Sequence, residues 1–357
     1  MDHRTQASST VRTLLNKLAQ THSLSLPEYR QLLEGFSPEA MAEAGTLADG
    51  LRKQVYGNQV FIRGLVEVGN ICKNDCYYCG IRRSNHRCQR YRLSREEILN
   101  CCEEGYSLGF RTFVMQGGEG VPEAARPVCD LIRELKRRHP DCAVTLSLGE
   151  YPREIYQEMF NAGADRYLLR HETANRLHYE KLHPAEMSFD NRMRCLRDLQ
   201  EIGFQTGCGF MVGSPYQTLD DLALDLKFIE DFHPAMCGIG PFLPHKDTPF
   251  GDRPAGTRDL TLYLLSILRI QRPDLLLPAT TALGTVSTEG HRLGMQAGAN
   301  VIMPNLSPLS VRAKYMLYDG KAISGSEAAE GLAMLKASMA EIGYEVVVSR
   351  GDPAISI

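Results

Sequence analysis

The chain has 357 residues, 43% of them hydrophobic and 23% charged, with a formal net charge of -3 from 40 Lys and Arg against 43 Asp and Glu. That length suits one large α/β barrel or two ordinary domains, and the composition is that of a globular chain able to fill a sizeable core. The charge balance excludes a global basic field for nucleic acid or an anionic membrane, and no run approaches the ~18 consecutive apolar residues of a membrane span.

The opening "MDHRTQASSTVRTLLNKLAQ" lacks the apolar core and cleavage signal of a secretory peptide, so the expected location is cytoplasmic. Helical periodicity runs through "VRTLLNKLAQ", "PEYRQLLEGF" and "SPEAMAEAGTLADGLRKQVYG", predicting an N-terminal helical extension over residues 1–60. The apolar faces of these helices need burial against the bottom or side of whatever follows. From residue 61 short apolar runs alternate with amphipathic segments. The runs are "FIRGLVEVGN", "RTFVMQGGE", "AVTLSLGE", "DRYLLRHE", "QTGCGFMVG", "MCGIGPFLP", "LLLPATTA" and "NVIMPN". Helices are expected between them at about 94–108, 122–138, 152–162, 188–202, 218–231, 257–270, 288–297 and 309–317. Eight strand–helix units predict a (β/α)8 TIM barrel over residues 61–320, with an open doubly wound sheet as the alternative. Residues 321–357 are expected to add a last helix and a short extended tail packing on the barrel.

Polar oddities collect at strand ends, where a barrel carries its active site. In "DRYLLRHE", period-two alternation puts Leu168, Arg170 and Glu172 on one face. In "QTGCGFMVG", Gly207, Gly209, Met211 and Gly213 share a face, which reads as a thinly filled interior and close approach by a ligand. "QGGEG" ends the second strand with Gly117, Gly118 and Glu119, glycines that let backbone come near a bound group, or else an ordinary turn. Arg192 is a further candidate cation, with an exposed helix arginine as its alternative.

Eleven cysteines, an odd number without an export signal, argue against a disulfide framework. Cys101, Cys102, Cys129, Cys142, Cys195, Cys208 and Cys237 fall in apolar stretches and read as buried inert thiols; Cys88 is assigned no role. Cys72, Cys76 and Cys79 in "CKNDCYYC" are different, because they crowd one loop after the first barrel strand. Three thiolates at C-x3-C-x2-C spacing suit three irons of a [4Fe–4S] cube, leaving the fourth iron open for chemistry. A structural zinc wants four ligands and finds no evident fourth here.

"CKNDCYYC" resembles the signature of the radical S-adenosylmethionine (SAM) superfamily, with Tyr78 in its aromatic slot. The resemblance implies reductive cleavage of SAM to methionine and a 5′-deoxyadenosyl radical. "SLGEYPREIYQEMFNAGADRYLLRHETAN", "GIGPFLPHKDTP", "LPATTALGT" and "GANVIMPN" further resemble the HydE family of [FeFe]-hydrogenase maturases over roughly residues 60–320. Carried over by motif, Cys72, Cys76 and Cys79 are metal ligands. Tyr78, Gly117, Gly118, Glu119, Arg170, Glu172, Arg192 and Tyr315 are placed around SAM. Arg63, Thr145, Met236, Thr280, Thr281 and Met303 are placed in a substrate cavity below it, although strand alternation would send Thr280 and Thr281 to opposite faces. The resemblance implies a small organometallic substrate, a cysteine-bound iron carbonyl cyanide made by HydG, whose product passes to HydF; neither nucleic acid nor membrane is an expected partner. Some family members carry a second iron–sulfur site near the C-terminus, but "KAISGSEAAEGLAM" has no cysteine, so one cluster is expected.

Two other readings stand beside this one. A 3-methylornithine synthase-like mutase would need partners for lysine, for which Arg63 and Asp247 are available. A non-catalytic metal-binding interaction module would hold zinc at the triplet.

Overall fold

The computed structural model describes residues 3–121, 125–322 and 328–354. Three helices lead in: α1 (His3–Thr21), α2 (Leu26–Glu34) and α3 (Pro38–Tyr56). Two short strands, β1 (Gln59–Ile62) and β2 (Gly64–Gly69), interrupted only at Arg63, then form a continuous extended run. β3 (Thr112–Gly117), β4 (Ala143–Ser147), β5 (Arg166–Leu168) and β6 (Gln205–Cys208) follow in parallel order. β7 (Met211–Val212) and β9 (Gly240–Pro241) form a small parallel pair above β6 and β8 (Met236–Cys237). Six strands therefore form one sheet in the order β2-β3-β4-β5-β6-β8. Single parallel bridges close it: Met236 with Leu276, Pro278 with Val301 in β10 (Val301–Ile302), and Asn305 with Leu65. The result is an eight-membered parallel ring with helices outside, the expected barrel.

Around the ring run α4 (Arg95–Ser107), α5 (Ala125–Arg138), α6 (Arg153–Asn161), α7 (Arg176–Leu182), α8 (Phe189–Ile202), α9 (Leu219–Phe232) and α10 (Arg258–Gln271). α11 (Thr281–Val286), α12 (Gly290–Gln296) and α13 (Leu309–Arg312) complete it. α7 and α11 are additions to the sequence reading. The start of α4 shows why the pattern was legible: Ser94 accepts from the Glu97 amide while the Glu97 carboxylate accepts from the Ser94 amide, a reciprocal cap written as "SREE". α10 is apolar almost all round because it is covered twice, by the barrel inside and by α1 and α3 outside, while α2 packs on α9. The lead-in helices thus lie on the barrel's side.

The tail is part of the barrel's lower end. α14 (Ala328–Ala340) is followed by β11 (Glu345–Val347), which pairs with the outer edge of β1. Arg166, fully buried, donates to the Asp352 carboxylate and the Arg350 carbonyl, and Thr112 Oγ1 donates to the same carbonyl. Of "KAISGSEAAEGLAM", residues 323–327 lie outside the described set. Among the described residues, no helix is long and apolar enough to cross a membrane.

Two readings of the strands need correction. The glycines of "QTGCGFMVG" do not open the interior to a ligand. A Cβ on Gly207 would meet Met236 Cε at 2.9 Å and Leu168 Cδ1 at 2.8 Å, and one on Gly209 (φ +153) would meet the Gly238 carbonyl oxygen at 2.0 Å. These glycines make room for protein. Likewise "LLLPATTA" does not remain a strand to its end: Thr280 stands at the N-terminal boundary of α11 without a capping bond and Thr281 is its first residue, so strand alternation does not apply to the pair.

Candidate functional site

At the C-terminal ends of the strands, residues 70–93 form a loop knitted by its own polar side chains. The Arg90 guanidinium donates to the carbonyls of Asn70, Ile81, Arg82 and Asn85. Buried Asn70 donates to the Gln89 and Lys314 carbonyls and accepts from the Tyr91 amide. Asp75 accepts from Arg82 and from the Ser84 hydroxyl; although burial opposes it, these bonds hold its carboxyl down at about 2. The sequence reading missed all three residues, since nothing in their spacing announces such a role.

This frame presents Cys72, Cys76 and Cys79, all free and half-buried, to one cavity of about 280 Å³. The seven cysteines read as inert are buried and free. Burial first, then the two neighbouring thiols, pushes Cys76 well up; burial and Cys72 push Cys79 up to about 12. Three thiolates are therefore stable together only with positive charge among them, which an iron–sulfur core provides. Among the described residues no three His, Cys, Asp or Glu side chains converge to hold a single metal ion. All three cysteines line one cavity, an arrangement suited to one thiolate per corner of a larger group.

The same cavity is lined by Tyr78, Gly117, Gly118, Glu119, Arg170, Glu172, Arg192, Thr280 and Tyr315. Arg170 Nη2 lies 3.2 Å from Glu172 Oε2, but the pair is not aligned as a hydrogen bond. Arg170 Nε and Nη2 and Glu172 Oε2 are buried without hydrogen-bond partners. A guanidinium with two such groups fits a carboxylate, and an acceptor-only carboxylate fits a pair of hydroxyls. Glu172 also holds a left-handed backbone (φ +66) that non-glycine residues rarely take, a feature concentrated at working sites.

Arg192 is not an exposed helix arginine. It is 7% exposed, donates from Nη1 to the Arg170 carbonyl at 2.9 Å, and lies with Nε 2.5 Å from Glu150 Oε1. Burial disfavours its charge, but Glu150 and then Tyr179 and Glu119 outweigh that and keep it firmly cationic. Glu150, unassigned in the sequence reading, thus sets the charge behind Arg170; its signal was an acid directly after a strand end in "SLGE". Glu119 is 7% exposed with Lys73 Nζ 3.0 Å from Oε1, and burial raises its pKa. Gly149 (φ +90) lies under that carboxylate, where a Cβ would meet Oε2 at 2.1 Å. The Tyr78 hydroxyl donates to His183 Nε2 (3.1 Å), because His183 Nδ1 donates to the Tyr179 carbonyl. Tyr315, 2% exposed, reaches Gln116 and lies under the Lys321 ammonium, which also pairs with buried Glu67.

Gly117 and Gly118 both line the cavity, and Gly118 has a packing role besides. A Cβ on Gly118 would meet the Ile71 carbonyl oxygen at 2.4 Å and Cys72 Cβ at 2.9 Å. The smallness of Gly118 seats the cysteine loop against β3.

Of the residues assigned to a lower cavity, Thr280 alone lines this one, with Oγ1 buried and unpartnered. Thr145 (1% exposed) and Arg63 (5% exposed) are buried elsewhere in the barrel, Thr145 Oγ1 and Arg63 Nε and Nη2 without partners, and Arg63 Nη1 rests 2.9 Å from Met236 Sδ. Met303 packs on the small core of Tyr56, Phe61, Met236, Leu276 and Val301 and also borders an outer cleft beside α14. Thr281, the first residue of α11, is not part of the cavity lining. Asp247 pairs with Arg87 at 2.6 Å, outside the cavity.

Residues 66–229 match the family model described as the radical SAM superfamily. The [FeFe] hydrogenase maturase subunit HydE of Thermotoga maritima is 46% identical over 275 residues, 77% of this chain and 78% of that one. 3-Methylornithine synthase of Methanosarcina acetivorans is 28% identical over 84% of this chain and 85% of its own length. Among solved structures, methylornithine synthase (PylB) superposes with a TM-score of 0.81 at 24% identity, covering 94% of this chain and 97% of that one. The [FeFe]-hydrogenase maturase HydG follows at 0.78 and 19% identity, over 96% and 77%. The cavity's chemistry and the sequence relationship agree: the chain belongs to the radical SAM superfamily, whose members use a [4Fe–4S] cluster and SAM, and within it to the family of the [FeFe] hydrogenase maturase subunit HydE.

Proposed function

We propose that Cys72, Cys76 and Cys79 hold three corners of a single [4Fe–4S] cluster and that SAM fills the cavity beside it. Arg170 takes the SAM carboxylate, with Arg192 behind it, and Glu172 takes the ribose hydroxyls. The observation that carries this is the Arg170 guanidinium, with two buried N–H groups lacking acceptors, on a wall shared with the three cysteines. When bound, the cluster supplies one electron to the SAM sulfonium. The chain's own groups do the rest: Arg170 and Glu172 orient the ligand, Glu119 faces its ammonium, and Tyr78, Leu168, Phe242 and Tyr315 keep water from the reacting end. Residues 61–320 are the catalytic barrel in this reading, with 1–60 and 321–357 as its supports.

The substrate in this reading is a small organometallic species, a cysteine-bound iron carbonyl cyanide supplied by HydG, with the product passed to HydF for the diiron subcluster. The Thr280 hydroxyl is a buried donor for a cyanide nitrogen, and Arg63, Thr145, Met236 and Met303 are reserved for groups deeper in the barrel. No second cluster is included, since the last cysteine of the chain is Cys237.

Anaerobic reconstitution tests the reading. Roughly four irons and four sulfides per chain are expected, with 5′-deoxyadenosine released from SAM after reduction. Zinc without iron overturns it, and formation of methylornithine from lysine assigns the chain instead to the mutase reaction.

A further inference from the structure

Strand five does not run straight to the site. The Leu169 amide donates to the Gly207 carbonyl, but the next barrel bond skips a residue: the Glu172 amide donates to the Gly209 carbonyl at 3.0 Å. Two residues, Arg170 and His171, therefore stand where a regular parallel pair has one, a bulge of the kind that re-aims side chains. The Gly209 amide, left without a strand carbonyl, donates instead to His171 Nδ1 at 3.3 Å. That bond fixes the tautomer, because a backbone amide can only donate; Nε2 carries the proton and points it at Asp225 Oδ1, 3.2 Å away. Asp225 comes from α9 and accepts the Ala174 amide at the same oxygen. Both His171 and Asp225 are 0% exposed, against Phe210 and Phe228, and Asp225 Oδ2 has no partner. A buried imidazole and carboxylate are costly to keep for packing alone.

We infer that His171 and Asp225 are positioning residues: together they hold the bulge that turns Arg170 and the left-handed Glu172 into the cavity. His171 replaces a backbone carbonyl as the acceptor for Gly209, and Asp225 ties both His171 and Ala174 to α9. Glu172 is thereby clamped on each side, by the His171–Gly209 bond before it and the Ala174–Asp225 bond after it. Neither residue touches the ligand. The inference rests on the reading that Arg170 and Glu172 bind SAM.

The test is SAM affinity of the cluster-loaded protein, measured by equilibrium binding and by the change SAM makes in the reduced cluster's EPR signal. His171→Phe keeps the ring volume and loses both bonds; the dissociation constant for SAM should rise about ten-fold or more, with iron content unchanged. His171→Asn, which keeps an acceptor near Nδ1, should fall between. Asp225→Ala should weaken SAM about ten-fold, while Asp225→Asn, which keeps Oδ1 as acceptor, should recover most of that loss. If H171F or D225A is unstable, H171N and D225N decide by their order. SAM affinity within two-fold of the parent in H171F or D225A overturns the inference, as does weakening in D225N equal to that in D225A. Arg170→Met separates the two claims: if it also leaves SAM binding intact, the site reading fails; if it abolishes binding while H171F does not, only the positioning role fails.

Discussion

Gly118→Ala places one methyl group where the structure has no room. Its Cβ would stand 2.4 Å from the Ile71 carbonyl oxygen, 2.7 Å from its carbon and 2.9 Å from Cys72 Cβ. These are backbone and first side-chain atoms, so no flexible group can swing away. Gly118 itself is held to β2 by its amide bond to the Gly69 carbonyl at 3.0 Å. The cysteine loop must therefore retreat by roughly 1 Å, at a cost of about 1–3 kcal/mol. A displacement of that size at a reacting centre lowers rate by about 10²-fold. The assay is 5′-deoxyadenosine release by the reduced, reconstituted protein, alongside iron content and melting temperature. Gly50→Ala is the matched control: it lies within α3 with nothing within 4 Å, so it should stabilise the chain by up to about 1 kcal/mol and leave cleavage unchanged. Parental cleavage and melting in G118A would refute the claim that Gly118 seats the loop.

Arg170→Met removes a half-buried cation whose buried Nε and Nη2 await acceptors; a charge-assisted bond is worth ~1.5–3 kcal/mol, so SAM affinity in equilibrium dialysis should fall about 10- to 150-fold. Lys321→Met strands the Glu67 carboxylate, 1% exposed, with Asn305 as its remaining side-chain hydrogen-bond partner among the described residues. The urea midpoint should drop by the equivalent of ~3–5 kcal/mol, and adding Glu67→Gln should restore part of it. Asp352 sits beside Arg350 and Arg166, which outweigh burial and hold its carboxyl down at about 2. Its stabilisation is fully present above the ordinary carboxylate range and is lost as pH falls through about 2. Asp352→Asn should therefore destabilise the iron-free chain at pH 7 by about 1 kcal/mol after solvent screening, a difference that vanishes between pH 4 and 2 in urea titrations.

What was legible in the sequence was local. The eight apolar runs announced the barrel because each is bounded by turn residues, and the cysteine triplet announced itself within eight positions. Contacts between distant segments were not legible. Nothing in "FIRGLVEVGN" says that Gln59–Ile62 pairs with the tail at Glu345–Val347, or that Leu276, Pro278 and Asn305 close the ring by single bridges. Glycine was misread for the same reason: Gly207 and Gly209 looked like space for a ligand, whereas Met236 and Gly238 occupy it from the next strand. Alternation placed Arg170 and Glu172 together and was right about the cavity, but it could not register the bulge, which depends on Asp225 more than fifty positions away in α9. Of Thr280 and Thr281 one lines the cavity, as alternation expected, but the reason differs: the strand period does not extend past the point where α11 begins.

The most direct test of the site is the EPR spectrum of the dithionite-reduced, reconstituted protein with and without SAM. A reduced [4Fe–4S] signal that shifts on adding SAM in the parent, fails to shift in Arg170→Met and is absent in Cys76→Ser is the predicted result. A signal indifferent to SAM, or one that survives serine at all three of positions 72, 76 and 79, would contradict it.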